Sequence, residues 1–200
     1  MKVLACLATS LDGQIARPDH PEKRFSSRQD LERLFAVRDL ADAVLVGGGT
    51  FRAYNKPHRG LKKRDFLHAI VTHTVNLPPQ APLFDHPELP VVIYTPHPSP
   101  ERFPDHLHWV PQTSPAAILA DLAGRGVETL LIEGGGHMVT LFAPFIDTFY
   151  LTVCPVLLGG QTGLTHGPVL PSAWFCLNGV EQVGDELFLI YNRRLVLDNE

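Results

Sequence analysis

Cysteine is scarce in this 200-residue chain, with Cys6, Cys154 and Cys176 the three examples. They are widely spaced and form no C-x-x-C pair, which excludes a disulfide framework and a zinc knuckle and fits a reducing cytoplasm. Charge is sparse as well. Charged residues make up 19% of the chain and the net charge is −4, a balance that repels a phosphate backbone and argues against nucleic acid as a partner. Long apolar runs are missing too. Residues 141–158 are interrupted by Pro144, Asp147 and Pro155, whereas a spanning helix needs about 20 nearly unbroken apolar residues, so no membrane segment is expected. The apolar run at 3–8 falls short of the ~7–15 residues of a signal-peptide core and reads as a first strand. Neither G-x-S-x-G nor H-x-E with P-C-x-x-C occurs, so the usual nucleophiles of a hydrolase or a base deaminase are absent. His106-x-His108 has no third ligand at a recognisable spacing, and no metal is expected.

What the chain does contain is 44% hydrophobic residues, 16 glycines and 18 prolines. That composition describes one folded domain over 1–200, rich in tight connections. Residues 3–9 read as a buried strand stopped by Asp12-Gly13. Ser26 with Gln29, or Ser27 with Asp30, caps an amphipathic helix over about 27–40. Residues 43–46 form a second buried strand, after which Thr50 caps a short helix through Tyr54. The nine prolines between 76 and 104 surround a strand at 91–95. Ser114-Pro115 opens a further helix that Gly124 ends, and residues 130–132 make another buried strand before a two-turn helix at 137–143. Beyond Asp147 the period changes to alternation, with turns at Asn178-Gly179 and Gly184-Asp185 and a closing antiparallel strand at 186–197. The fold class expected is α/β in three layers, with a mainly parallel sheet and an antiparallel C-terminal edge.

Two glycine triplets, Gly47-Gly48-Gly49 and Gly134-Gly135-Gly136, stand where a buried strand gives way to a helix, a place where free backbone N–H groups favour an anion such as a pyrophosphate. Neither completes G-x-G-x-x-G, and no P-loop lysine follows. Tight turning alone is the competing reading of the triplets. Arg38 leaves the buried stripe of its helix, so it either meets an anionic partner or ligand or satisfies the last carbonyls of its own helix. Glu133 stands at the C-terminal end of a strand, where α/β sheets present ligand-contacting groups, or else it accepts hydrogen bonds from the glycine loop. Asp12 manages a proton or closes an Asx turn. Anion-cradling loops with one carboxylate and one arginine suit chemistry whose hard step a bound cofactor performs.

Taken in order, Ser10-Leu11-Asp12-Gly13-Gln14-Ile15-Ala16, Asp42 through Thr50, Leu131-Ile132-Glu133-Gly134-Gly135-Gly136 and Pro155-Val156-Leu157-Leu158-Gly159-Gly160 resemble the reductase domain of bacterial riboflavin biosynthesis proteins. That family has the dihydrofolate reductase fold, and its deaminase half has no counterpart in this chain. The resemblance implies an NADPH-dependent reductase acting on a ribosylaminopyrimidine 5′-phosphate, reduced at the sugar to the ribityl form. It also implies a homodimer. By motif it assigns cofactor contacts to Ala8, Ile15, Ala16, Gly48, Gly49, Thr50, Phe51 and Arg52, to Thr72 and His73, and to Gly134, Gly135, Gly136, His137, Met138 and Leu141. Substrate binding falls to Arg38, Asn55, Arg59 and Glu133, with Asp12 and Glu133 as catalytic proton managers. The chain departs from the family pattern at 54–60, where Tyr54 replaces an acid. This departure keeps two alternatives open, a reductase of a pterin, folate or other heterocycle and a non-catalytic nucleotide-binding module.

Overall fold

In a computed structural model that describes residues 1–20, 23–167 and 172–194, the backbone builds one nine-stranded sheet. The strands are β1 (Lys2–Thr9), β2 (Ala43–Gly47), β3 (Leu67–Val71), β4 (Val91–Tyr94), β5 (His108–Val110), β6 (Thr129–Ile132), β7 (Thr148–Val153), β8 (Phe175–Val183) and β9 (Glu186–Arg193). Their spatial order is β5-β4-β3-β2-β6-β1-β7-β9-β8. All pairings from β5 to β7 are parallel, and β9 and β8 add an antiparallel edge.

Alternate residues of each central strand enter different clusters, which is why the strands read as continuous apolar runs. Val3, Ala5, Ala43, Leu45, Leu130 and Ile132 face one side. There they pack under α3 (Pro115–Gly124) and α4 (Gly136–Phe142). On the other side Val44, Val46 and Ile70 meet Phe51, Phe66 and Phe84, while Leu4 and Leu131 meet Val37 of α1 (Arg28–Arg38). Ser27 is the N-cap of α1 and accepts from the Asp30 N–H, but the reciprocal half of the expected capping box is not made, because the Ser27 N–H donates to Glu186 and the Asp30 carboxylate accepts from Arg24.

Three local readings change. The helix after β2, α2 (Gly48–Ala53), begins at Gly48 with Gly47 as N-cap, so Thr50 lies inside it and caps nothing. The strand runs straight into the helix, and an extended Gly47 (φ −77°, ψ 154°) is enough to start it. Asn178-Gly179 is no turn but a register shift inside β8, because β9 continues to pair on both sides of it. The reversal is made at Gly184, whose φ of +61° suits glycine. The closing strand ends at Arg193, and the residues from 195 on that were expected to extend it lie outside the described set.

Candidate functional site

The order of the sheet places the site. Because β2 and β6 are parallel neighbours, the two glycine junctions lie side by side at the same edge. The Gly135 N–H donates to Thr50 Oγ1 at 3.3 Å, joining positions 85 residues apart. One side chain supports both bends. A Cβ added at Gly47 would stand 3.1 Å from Met138 Cγ, and one at Gly134 would stand 3.0 Å from the same atom. Gly48 makes room for the Thr72 hydroxyl, and Gly136 makes room for the backbone of Gly163 and Thr165. Gly135 differs, because a Cβ there would meet nothing within 4 Å, and at Gly49 it would approach nothing nearer than Arg52 Nη2 at 3.8 Å. Gly49 and Gly135 are thus open on their outer faces, each beside first-turn amides of α2 or α4 that have no acceptor within their helix, the kind of donors that can meet an anion.

Next to this cradle, Arg38 and Glu133, each singled out on its own in the sequence, form one bidentate ion pair. Arg38 Nε and Nη2 donate to Glu133 Oε1 and Oε2 at 2.6 and 2.7 Å. Their side chains are 12% and 11% exposed. Nη1 of Arg38 donates to the Arg59 carbonyl at 3.0 Å, and the guanidinium groups of Arg38 and Arg59 each lie 5.5 Å from the Phe35 ring. Arg38 therefore meets an anionic partner rather than the end of its own helix. Glu133 accepts from Arg38 with both oxygens rather than from the glycine loop. Burial first, and Glu133 second, push the neighbouring Cys6 thiol upward, so it is no ready nucleophile.

Asp12 does not close the expected Asx turn, because the Gln14 N–H donates to Ser10 Oγ at 2.8 Å instead; it ties the end of β1 to residues 158–159. Its carboxylate accepts from Ser10 Oγ at 2.6 Å and from the Leu158 and Gly159 N–H groups at 3.1 and 2.7 Å. Those hydrogen bonds, the Ser10 one foremost, hold its pKa at about 2. Ile15 and Ala16 are tied to the same region, the Ile15 N–H donating to the Thr162 carbonyl and the Ala16 carbonyl accepting from Thr162 Oγ1. Ala8 lies near the end of β1 opposite Thr152.

The remaining expected contacts divide by burial. Phe51 and Met138 are 0% and 3% exposed, and Leu141 packs against the core. Their side chains face inward, so they support the cradle rather than line it. Thr72 is buried and its hydroxyl donates to the Thr74 carbonyl at 2.6 Å. His73 and His137 are exposed at the same edge. Asn55 does not join Arg59. It lines a cleft of about 510 Å³ with Arg52, Asn76 and Arg102, where Arg52 Nη1 donates to the Asn76 carbonyl and Arg102 Nη2 to the Val75 carbonyl. Arg102 is a cleft residue that sequence reasoning missed, because nothing in its proline-rich neighbourhood marks it.

Also missed is a buried histidine pair, His58 and His68, whose ring centroids lie 5.2 Å apart. The signal was present: His68 is the lone polar residue of β3. Burial pushes both imidazoles down to about 3. No group of three or more metal-ligating side chains converges among the described residues, and none of their helices is long and apolar enough to cross a membrane.

Comparison with known proteins gives concordant results. The chain is 24% identical over 185 residues to the 2,5-diamino-6-ribosylamino-4(3H)-pyrimidinone 5′-phosphate reductase of Archaeoglobus fulgidus, covering 82% of this chain and 84% of that protein. It is 26% identical over 170 residues to the maize chloroplastic riboflavin biosynthesis protein PYRR, covering 79% of this chain and 27% of that one. Among solved structures, it resembles the Thermotoga maritima diaminohydroxyphosphoribosylaminopyrimidine deaminase/5-amino-6-(5-phosphoribosylamino)uracil reductase with a TM-score of 0.84 at 22% identity. That match covers 96% of this chain but 56% of the Thermotoga one, so the chain spans about half the length of that protein. A pyrimidine reductase-like protein of Corynebacterium diphtheriae matches with a TM-score of 0.77 at 17% identity, covering 96% of this chain and 92% of that one. With the RibD C-terminal domain model matching residues 1–189, the chain belongs to the RibD C-terminal domain family.

Proposed function

We propose that this chain is an NADPH-dependent reductase of a ribosylaminopyrimidine 5′-phosphate, converting the sugar to its ribityl form. The observation that carries the reading is the double glycine cradle of β2 and β6 standing beside the Arg38–Glu133 pair. A dinucleotide fits that cradle because Gly49 and Gly135 leave their outer faces open. When bound, its nicotinamide supplies the hydride. The N–H groups around Gly49 and Gly135 hold the diphosphate, and Arg52 and Arg102, on the cleft beyond α2, provide cations for a 2′-phosphate. Arg38 and Arg59, gathered around Phe35, bind and orient the phosphorylated acceptor, and Glu133 fixes the Arg38 fork. Asp12 carries no proton at neutral pH and both Glu133 oxygens are engaged, so the proton that accompanies the hydride comes from solvent.

The test is loss of NADPH absorbance with a panel of acceptors. Turnover of the ribosylaminopyrimidine phosphate, with no turnover of pterins or folates, is the expected result. Turnover of a pterin alone overturns the substrate, and an absence of NADPH binding overturns the reading as a whole. Replacing Arg52 and Arg102 with alanine is expected to weaken NADPH by about 10-fold or more while leaving NADH nearly unchanged. As a second reading, the enzyme works as a homodimer. Leu177, Val180 and Leu187 are 53%, 59% and 40% exposed, and with Leu189 and Tyr191 they share one face of the edge hairpin. Sedimentation at micromolar concentration should give twice the chain mass, and a monomer would refute this.

A further inference from the structure

The segment between α2 and β3 carries Arg59, and two groups beneath it fix its path. One is Asp39, whose carboxylate accepts the Lys62 and Lys63 N–H groups at 3.1 and 3.0 Å. Gly60 is needed there, because a Cβ would run into that carboxylate. The other is His68, 1% exposed on β3, whose Nε2 accepts the main-chain N–H of His58 at 3.0 Å. The next residue is Arg59, whose carbonyl takes the Arg38 guanidinium. One hydrogen bond thus separates a strand in the middle of the sheet from the arginine pair at its edge.

An imidazole at this place needs a reason. His68 lies on the face that packs Phe66 and Ile70, the Phe66 ring standing edge-on to it at 6.4 Å, and a leucine would fill the space without desolvating a polar ring. Neither Nδ1 of the pair has a partner among the described residues. The polar function of His68 is therefore its Nε2 bond to the loop. Accepting there puts the ring proton on Nδ1. Burial, with His58 as neighbour, holds the imidazole neutral and so preserves the acceptor.

We propose that His68 is a positioning residue for acceptor recognition: through the His58 main chain it sets where Arg59, and with it Arg38, meets the phosphorylated substrate. This rests on the reading of Arg38 and Arg59 as the acceptor side. The experiment compares His68→Leu, which removes the acceptor, with His68→Gln, whose amide oxygen restores one. H68L should raise KM for the ribosylaminopyrimidine phosphate by about 10-fold, the scale of one lost hydrogen bond. Under the same conditions kcat should stay within about threefold and NADPH affinity within about twofold, and H68Q should recover most of the lost KM. An unchanged KM in H68L, an equal loss of kcat and NADPH affinity, or no recovery in folded H68Q overturns the proposal. Should H68L not fold, His68→Met is compared in its place. Hydrogen exchange of the 58–60 amides is followed in parallel and needs no substrate. Faster exchange confined to that loop supports the coupling, and unchanged exchange refutes it. A wild-type enzyme that does not turn over this acceptor therefore overturns the functional reading alone, and the exchange result still decides the role of His68.

Discussion

Replacing Arg38 with methionine is the most direct trial of the site, because it leaves the Glu133 carboxylate buried and unpaired. With the charges about 4 Å apart and an effective dielectric of about 20, the lost attraction is about 4 kcal/mol. Removal of one partner from a buried pair costs about 3–5 kcal/mol. The side chains retain 12% and 11% exposure, so water softens the loss and the lower end, about 3 kcal/mol, is expected for Arg38→Met. For a chain of this length that corresponds to a Tm lower by roughly 6–12 °C. Arg38→Met with Glu133→Leu removes both charges and should recover most of this, to within about 1–2 kcal/mol of the native protein. Urea unfolding of the four proteins in a double-mutant cycle reads the coupling directly. A loss below about 1 kcal/mol in Arg38→Met would place the pair with exposed ion pairs and refute its description as a buried clamp.

Other outcomes follow from the glycines and the titrating groups. Gly135→Asp should retain the native Tm, since its Cβ enters open space, yet weaken NADPH by about 100-fold or more by setting a carboxylate against the diphosphate; calorimetric titration checks both. Gly136→Ala should do the reverse, lowering Tm because the methyl group meets the Gly163 carbonyl. The His58 and His68 pKa values fall from 6.5 to about 3 on folding. The unfolded chain therefore binds protons that the folded one refuses, and stability, full above pH 6.5, declines as pH falls toward 3. At pH 5 the loss is roughly 2 kcal/mol for each ring, and His68→Gln should flatten that limb in urea titrations. Asp12 acts at lower pH: its folded pKa of about 2 lies below the ordinary 3.8, so its contribution is present above pH 3.8 and vanishes as pH drops through 2. Asp12→Asn should abolish that dependence, measured as the acid limb of unfolding.

The sequence made the strands legible because each central one is buried on both faces and reads as an unbroken apolar run. Arg38 and Glu133 were legible singly, one as a charge on a buried helix stripe and the other as an acid at a strand end. Their pairing was not, since contact across 95 positions depends on strand order, which local pattern does not encode. The same limit separated Asn55 from Arg59, four residues apart in sequence: Asn55 lines the cleft with Arg52 and Arg102, and Arg59 lies against Phe35. Asn178-Gly179 has the composition of a hairpin turn, but the pairing of the flanking β8 residues to β9 outweighed that local preference and left a bulge. Thr50 read as a cap because its side chain suits one, and the structure gives its oxygen to the opposite junction instead.

The place of β6 also has a kinetic meaning. It enters the sheet between β1 and β2, strands made more than eighty residues earlier, so a chain emerging from the ribosome has one glycine junction and no opposing one until Gly136 has been synthesised. The earlier strands must leave that slot unfilled or release one another to admit the latecomer, a long-range closure that slows folding. Any ligand spanning both junctions would then act as a staple between distant parts of the chain, guarding the completed sheet against the reverse event, expulsion of its central strand.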